Sequence, residues 1–118
     1  MPTIDPPSST PVLALVRDLM FSSKITATAR AVGVEVHAVR EPGGLSERKG
    51  RLLVVDLNLP GAIEAAAGWR AGNPGCRVVG FVSHVDAPTI QKAREAGLEV
   101  MARSGFVEKL PELLASAS

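Results

Sequence analysis

The sequence is poor in aromatic residues, in metal-binding side chains and in net charge, and each shortage closes off a class of function. Its 118 residues hold one Trp, three Phe and no Tyr, too few for the stacking platforms of single-strand nucleic-acid binders or for most flavin pockets. The single cysteine, Cys76, rules out an intramolecular disulfide, and with His37 and His84 it does not make a zinc cage. A reducing, cytoplasmic setting is therefore expected. Thirteen Lys plus Arg against twelve Asp plus Glu leave a formal charge of +1, so no whole-chain field attracts nucleic acid or an anionic membrane. No apolar run approaches the ~20 residues needed to span a bilayer. The opening MPTIDPPSST has three prolines and no basic residue ahead of an apolar stretch, so residues 1–10 read as a disordered arm rather than a signal peptide.

What is present is a rhythm of short β-branched runs and longer Ala-rich segments, within one domain expected over residues 11–116. The runs are 12–16, 34–39, 52–55, 77–82 and 98–102. The first, third and fourth are almost continuously apolar, as central parallel strands buried on both faces should be. The second and fifth alternate and belong nearer an edge. Between the first two runs, Phe21, Ile25, Ala29 and Val32 recur at helical spacing and Gly33 follows as a C-terminal cap. Another helix is predicted from Ala62 to about Ala71, stopped by Gly72-Asn73-Pro74-Gly75. The fourth interval opens at Asp86 with Pro88 in its first turn and ends at Gly97. A short terminal helix is expected around Glu112-Leu113-Leu114, with Pro111 in its first turn. The interval 41–50 contains Pro42-Gly43-Gly44 and leaves room for a stunted crossover helix only.

This alternation predicts an α/β fold: a doubly wound, five-stranded parallel sheet in a three-layer α-β-α sandwich with a shortened second helix. Function should gather where the strands end, near the topological switch point. Those ends carry Arg17 and Asp18, Asp56 to Gly61, Ser83 and His84, and Arg103 and Ser104. No G-x-G-x-x-G or Walker sequence is present, the Ser22-Ser23 region lacks the glycine of a phosphate loop, and adjacent Ser83 and His84 do not suit a catalytic triad. Taken alone, Cys76 reads as a small apolar filler, His37 as an outward residue of an edge strand, His84 as a loop residue and Trp69 as core or rim packing.

The segment Leu52-Leu53-Val54-Val55-Asp56-Leu57-Asn58-Leu59-Pro60-Gly61 resembles the phosphoacceptor strand and loop of response-regulator receiver domains, which share the flavodoxin-like architecture. Phe81-Val82-Ser83 is similar to the family's strand ending in Ser or Thr, and Ala93-Arg94-Glu95-Ala96-Gly97 to the end of its fourth helix. The resemblance implies Asp56 at the phosphoacceptor position, with Ser83 as the hydroxyl that binds the transferred group. It makes Asn58 the residue whose backbone carbonyl would face a Mg²⁺. The departures are specific. Where the family has two acids after the first strand, this chain has Arg17 and Asp18. Where it has Lys-Pro after the fifth, the chain has Ser104-Gly105, and Met101 replaces an aromatic residue.

An arginine in place of an acid shifts the local charge by two units. Arg17 or another cation is thus expected within ion-pair reach of Asp56 or Asp18, leaving no resident Mg²⁺, although those two acids are the candidates if one binds. Arg103, one residue before the lost lysine, should point to the other face of its strand. The expected function is that of a pseudo-receiver, a non-enzymatic protein-interaction module of two-component phosphorelay signalling. A working Asp56 phosphoacceptor and a flavodoxin-like ligand-binding domain or small enzyme are the alternatives. Its partner would be a protein, an output domain or a second copy. The expected face comprises the fourth helix, fifth strand and last helix, at Ile90, Lys92, Arg94, Arg103, Val107 and Leu110.

Overall fold

The computed structural model describes residues 11–46, 48–84 and 86–117; the expected N-terminal arm lies outside them. Strands β1 (Val12–Leu15), β2 (Val36–Val39), β3 (Leu52–Asp56), β4 (Arg77–Val82) and β5 (Glu99–Ala102) alternate with helices α1 (Leu19–Ala31), α2 (Ala62–Gly72), α3 (Ala87–Glu95) and α4 (Arg103–Ala115). The strands form one parallel sheet in the order β2-β1-β3-β4-β5. The two alternating runs are indeed the edges. Between β2 and β3 the chain makes only a 3₁₀ turn at Pro42–Leu45, because two successive glycines after a proline do not hold a longer helix against their entropy.

Strand alternation splits the core in two. Val12, Ala14, Leu52, Val54, Val79 and Phe81 point toward α1 and α4, where Phe21, Ile25, Phe106, Leu110, Leu113 and Leu114 meet them. Leu13, Leu15, Leu53, Val55, Val78 and Val82 point the other way, toward α2, α3 and the 3₁₀ turn. At Gly80 the sheet accommodates a close approach: a Cβ there would lie 2.6 Å from the Leu57 side chain, so any larger residue would have to push that buried side chain aside.

Two helix expectations are corrected. Val32 is the C-cap of α1 and is exposed, so the buried stripe is Phe21, Ile25 and Ala29. The terminal helix starts eight residues before Pro111, at Arg103, and passes through that proline. An interior proline costs roughly 3 kcal/mol. Burying Phe106, Leu110, Leu113 and Leu114 contributes about 1.5–3 kcal/mol for each side chain and outweighs it. Leu110, expected on an interaction face, is 1% exposed and belongs to this core.

Candidate functional site

Because β2 lies on one side of β1 and β3 on the other, the chain reverses direction across the sheet at β1, and the strand ends there form the site. Its β1 side is built by charge. Asp18 is the N-cap of α1, its Oδ1 accepting the backbone N–H groups of Met20 at 2.9 Å and Phe21 at 3.3 Å. Its Oδ2 lies 3.7 Å from the guanidinium of Arg103, which also covers the Phe21 ring at 4.2 Å from its centroid. Arg17 turns away: its guanidinium donates to Glu41 at 2.9 Å, just before the 3₁₀ turn.

The β3 and β4 side is built by hydrogen bonds. Asp56, half-buried, ends β3 in register with Phe81. Its Oδ1 accepts the backbone N–H of Asn58 at 3.0 Å, closing the turn that Gly61 (φ 80°) carries into α2. Burial pushes the Asp56 carboxyl above its ordinary range. The Asn58 N–H and the charges of Arg103 and His84 act in the opposite direction, and Asp18 adds to the rise. Asn58 also reaches across to the end of β4, where its Oδ1 accepts three donors: the Ser83 N–H at 2.7 Å, the Ser83 hydroxyl at 3.0 Å and the His84 N–H at 3.3 Å.

No family model and no curated protein matches the chain in sequence, but solved structures match its fold. A response regulator receiver domain protein from Methanospirillum hungatei superposes with a TM-score of 0.75 at 16% identity, over 92% of this chain and 95% of that one. A response regulator from Thermotoga maritima gives 0.72 at 18% identity, over 92% and 97%. One from Burkholderia pseudomallei, whose structure holds a phosphorylated aspartic acid, a calcium ion and citrate, gives 0.74 at 17% identity. That match covers 89% of this chain and 66% of the other. The chain has the receiver fold.

In this receiver fold Asp56 and Asn58 share one turn and Asn58 reaches Ser83, and of the cations expected near Asp18 or Asp56 it is Arg103, not Arg17, that lies within reach of Asp18. Glu41 takes Arg17, because the parallel register of β1 and β2, with Leu15 opposite Val39 and the Val16 N–H donating to the Val39 carbonyl, carries that acid alongside the residue two places past β1. The cation that faces Asp18 is Arg103, so the expectation that it points away from the site is wrong. Alternation of faces applies within a strand, and β5 ends at Ala102; Arg103 opens a helix, which returns its side chain over Phe21. Ser104, on the next position of that helix, is exposed and makes none of the site's contacts. The helical spacing of Phe106, Leu110, Leu113 and Leu114 marks a helix longer than the one expected around Pro111, but it starts after Ser104-Gly105 and does not reach Arg103.

The divalent ion implied by the resemblance requires free carboxylates held close together. Both oxygens of Asp18 are engaged, one as a cap and one toward a guanidinium, and among the described residues no three His, Cys, Asp or Glu side chains cluster as a metal site. Asp18 therefore has no oxygen without a partner to offer such an ion.

Of the remaining expectations, Trp69 is buried on α2 and its indole N–H donates to the Arg48 carbonyl at 3.0 Å. His37 is partly buried on the edge strand, its basicity lowered by burial and by Arg48. Cys76 is half-buried just before β4, its thiol pushed up by burial. On the expected interaction face, Ile90 and Val107 are half-buried against the two cores. Lys92 pairs with Glu64 of α2 and Arg94 is exposed.

Proposed function

We propose that this domain is a receiver-like signalling module of the two-component type whose pocket works without phosphorylation, engaging a protein partner through the conformation it already holds. The observation that carries this reading is the engagement of Asp18. Transfer of a phosphoryl group to a carboxylate brings two anions together and needs a cation with free coordination sites to neutralise them. Here the one acid after β1 serves as a helix cap and faces Arg103, a fixed cation that takes up no metal. The module would accordingly hold no Mg²⁺, catalyse nothing and act in the cytoplasm. Its docking surface would be the face of α3, β5 and α4, meeting an output domain, a separate protein or a second copy, without recourse to nucleic acid or membrane.

A second reading keeps Asp56 as a working phosphoacceptor. It is favoured by the placement of Ser83 beside the Asp56 turn and by the Arg103 charge acting on the Asp56 carboxyl. Intact-mass measurement after incubation with acetyl phosphate and Mg²⁺ separates the two. The first expects no change, and a gain of about 80 Da, one phosphoryl group, would establish the second. The metal argument has its own test: Arg17→Asp restores the second acid and should strengthen Mg²⁺ binding, followed by NMR shifts at Asp18 and Asp56. Equal affinity in variant and parent would refute it.

A further inference from the structure

The Ser83 hydroxyl, which the resemblance assigns to binding a transferred group, is already donating. Three donors from two successive residues, the Ser83 N–H, the Ser83 O–H and the His84 N–H, converge on a single point between the ends of β3 and β4. Such convergence is the arrangement by which backbone and hydroxyl groups hold one oxygen of an anion. The point is occupied by Oδ1 of Asn58 from the chain's own β3–α2 turn. That turn is fixed in its own right, since the Asn58 N–H donates to Asp56 and the Leu57 N–H donates to the Phe81 carbonyl at 2.9 Å. The turn fixes the Asn58 backbone, so placing the oxygen orders only the two torsions of a short side chain.

We propose that Asn58 is an internal ligand: its side-chain oxygen fills a three-donor oxyanion site made by Ser83 and His84 and holds the end of β4 in the arrangement an external anion would otherwise impose. Its signalling consequence rests on the reading of the pocket as phosphorylation-independent, because a segment set by the chain's own oxygen is set permanently. Its geometry does not rest on that reading. Asn58 is in this sense a positioning residue, acting through Ser83 and His84.

Amide hydrogen exchange on the whole chain, in the parent, Asn58→Ala and Asn58→Asp, tests the proposal. Removing the oxygen in Asn58→Ala should speed exchange at the Ser83 and His84 amides severalfold, up to about tenfold, while the β4 amides from Val79 to Val82 keep their protection and report an intact fold. Asn58→Asp supplies an equivalent oxygen and should restore protection. Tens of millimolar inorganic phosphate should slow exchange at the same two amides in Asn58→Ala and leave the parent unchanged, its site being filled. Unchanged exchange in Asn58→Ala, no rescue by Asn58→Asp, or no effect of phosphate on Asn58→Ala would each overturn the proposal. Mass gain from acetyl phosphate would instead overturn the phosphorylation-independent reading and leave the exchange result to judge Asn58.

Discussion

The two faces of the sheet are covered by different means, and the site inherits something from each. Under α1 and α4 all three phenylalanines of the chain meet, with ring centroids 5.0 Å apart for Phe21 and Phe81, 4.7 Å for Phe81 and Phe106 and 6.0 Å for Phe21 and Phe106. The opposite face has one long helix, one shorter helix and a 3₁₀ turn, with Trp69 reaching back to the Arg48 carbonyl. Arg103 and Asp18 start the two helices of the aromatic face, so their encounter is fixed by deeply buried packing even though the ion pair itself is long and half-exposed. Asp56 and Asn58 lead instead into α2 of the other face, where the turn's own hydrogen bonds fix the geometry. Charged groups at a site can therefore be positioned by what their backbone packs on, with little help from their mutual attraction.

The comparison breaks most visibly at Phe106. Truncation to Ala removes one ring of the triad and should cost about 3–5 kcal/mol, measured by urea denaturation. A loss comparable to that of a surface substitution would show that the aromatic face is not the main support of α4. On the other face Trp69→Phe loses the hydrogen bond to Arg48, a cost of about 1 kcal/mol for the bond with a further loss from the smaller ring. Far-UV circular dichroism follows this variant, and no shift in midpoint would remove Trp69 as the fastening of the short crossover.

A smaller, pH-dependent effect is expected at Asp56. Burial raises its carboxyl in the folded state, so ionising it opposes folding. This residue's contribution is most favourable below the unfolded carboxylate pKa and is lost as pH rises through the higher folded value. Asp56→Asn keeps an oxygen for the Asn58 N–H and removes the charge. It should melt slightly above the parent at neutral pH, with the gap closing below about pH 4. A gap that widens on acidification would reverse the assigned sign. In a phosphorylation-independent module this variant also keeps partner binding nearly intact.

The least effect on folding is expected from reversing charge at Lys92 and Arg94, whose side chains are exposed on α3. Circular dichroism should be unchanged, while sedimentation or partner binding should weaken if the α3, β5 and α4 face docks. Unchanged association with an unchanged fold would withdraw that face.

Periodicity alone determined most of the architecture. Continuous apolar runs can only be buried on both sides, which made β1, β3 and β4 central, and the Pro42-Gly43-Gly44 sequence could not hold a full helix. The strand-end positions of Asp56, Asn58 and Ser83 followed, because a residue just past a parallel strand has one place to go. Which partners these residues chose depended on tertiary contacts. Arg17 met Glu41 because the β1–β2 register set the two chain segments side by side, and Arg103 faced Asp18 because four buried side chains hold α4 together back past an unpromising Ser104-Gly105 and through Pro111. Neither contact has a local sequence signature, since ion pairs are weak and take whatever partner the packed core brings within reach. The same holds for the Asn58 oxygen at Ser83 and His84: the residues are 25 and 26 positions apart, and only the pairing of β3 with β4 brings them together.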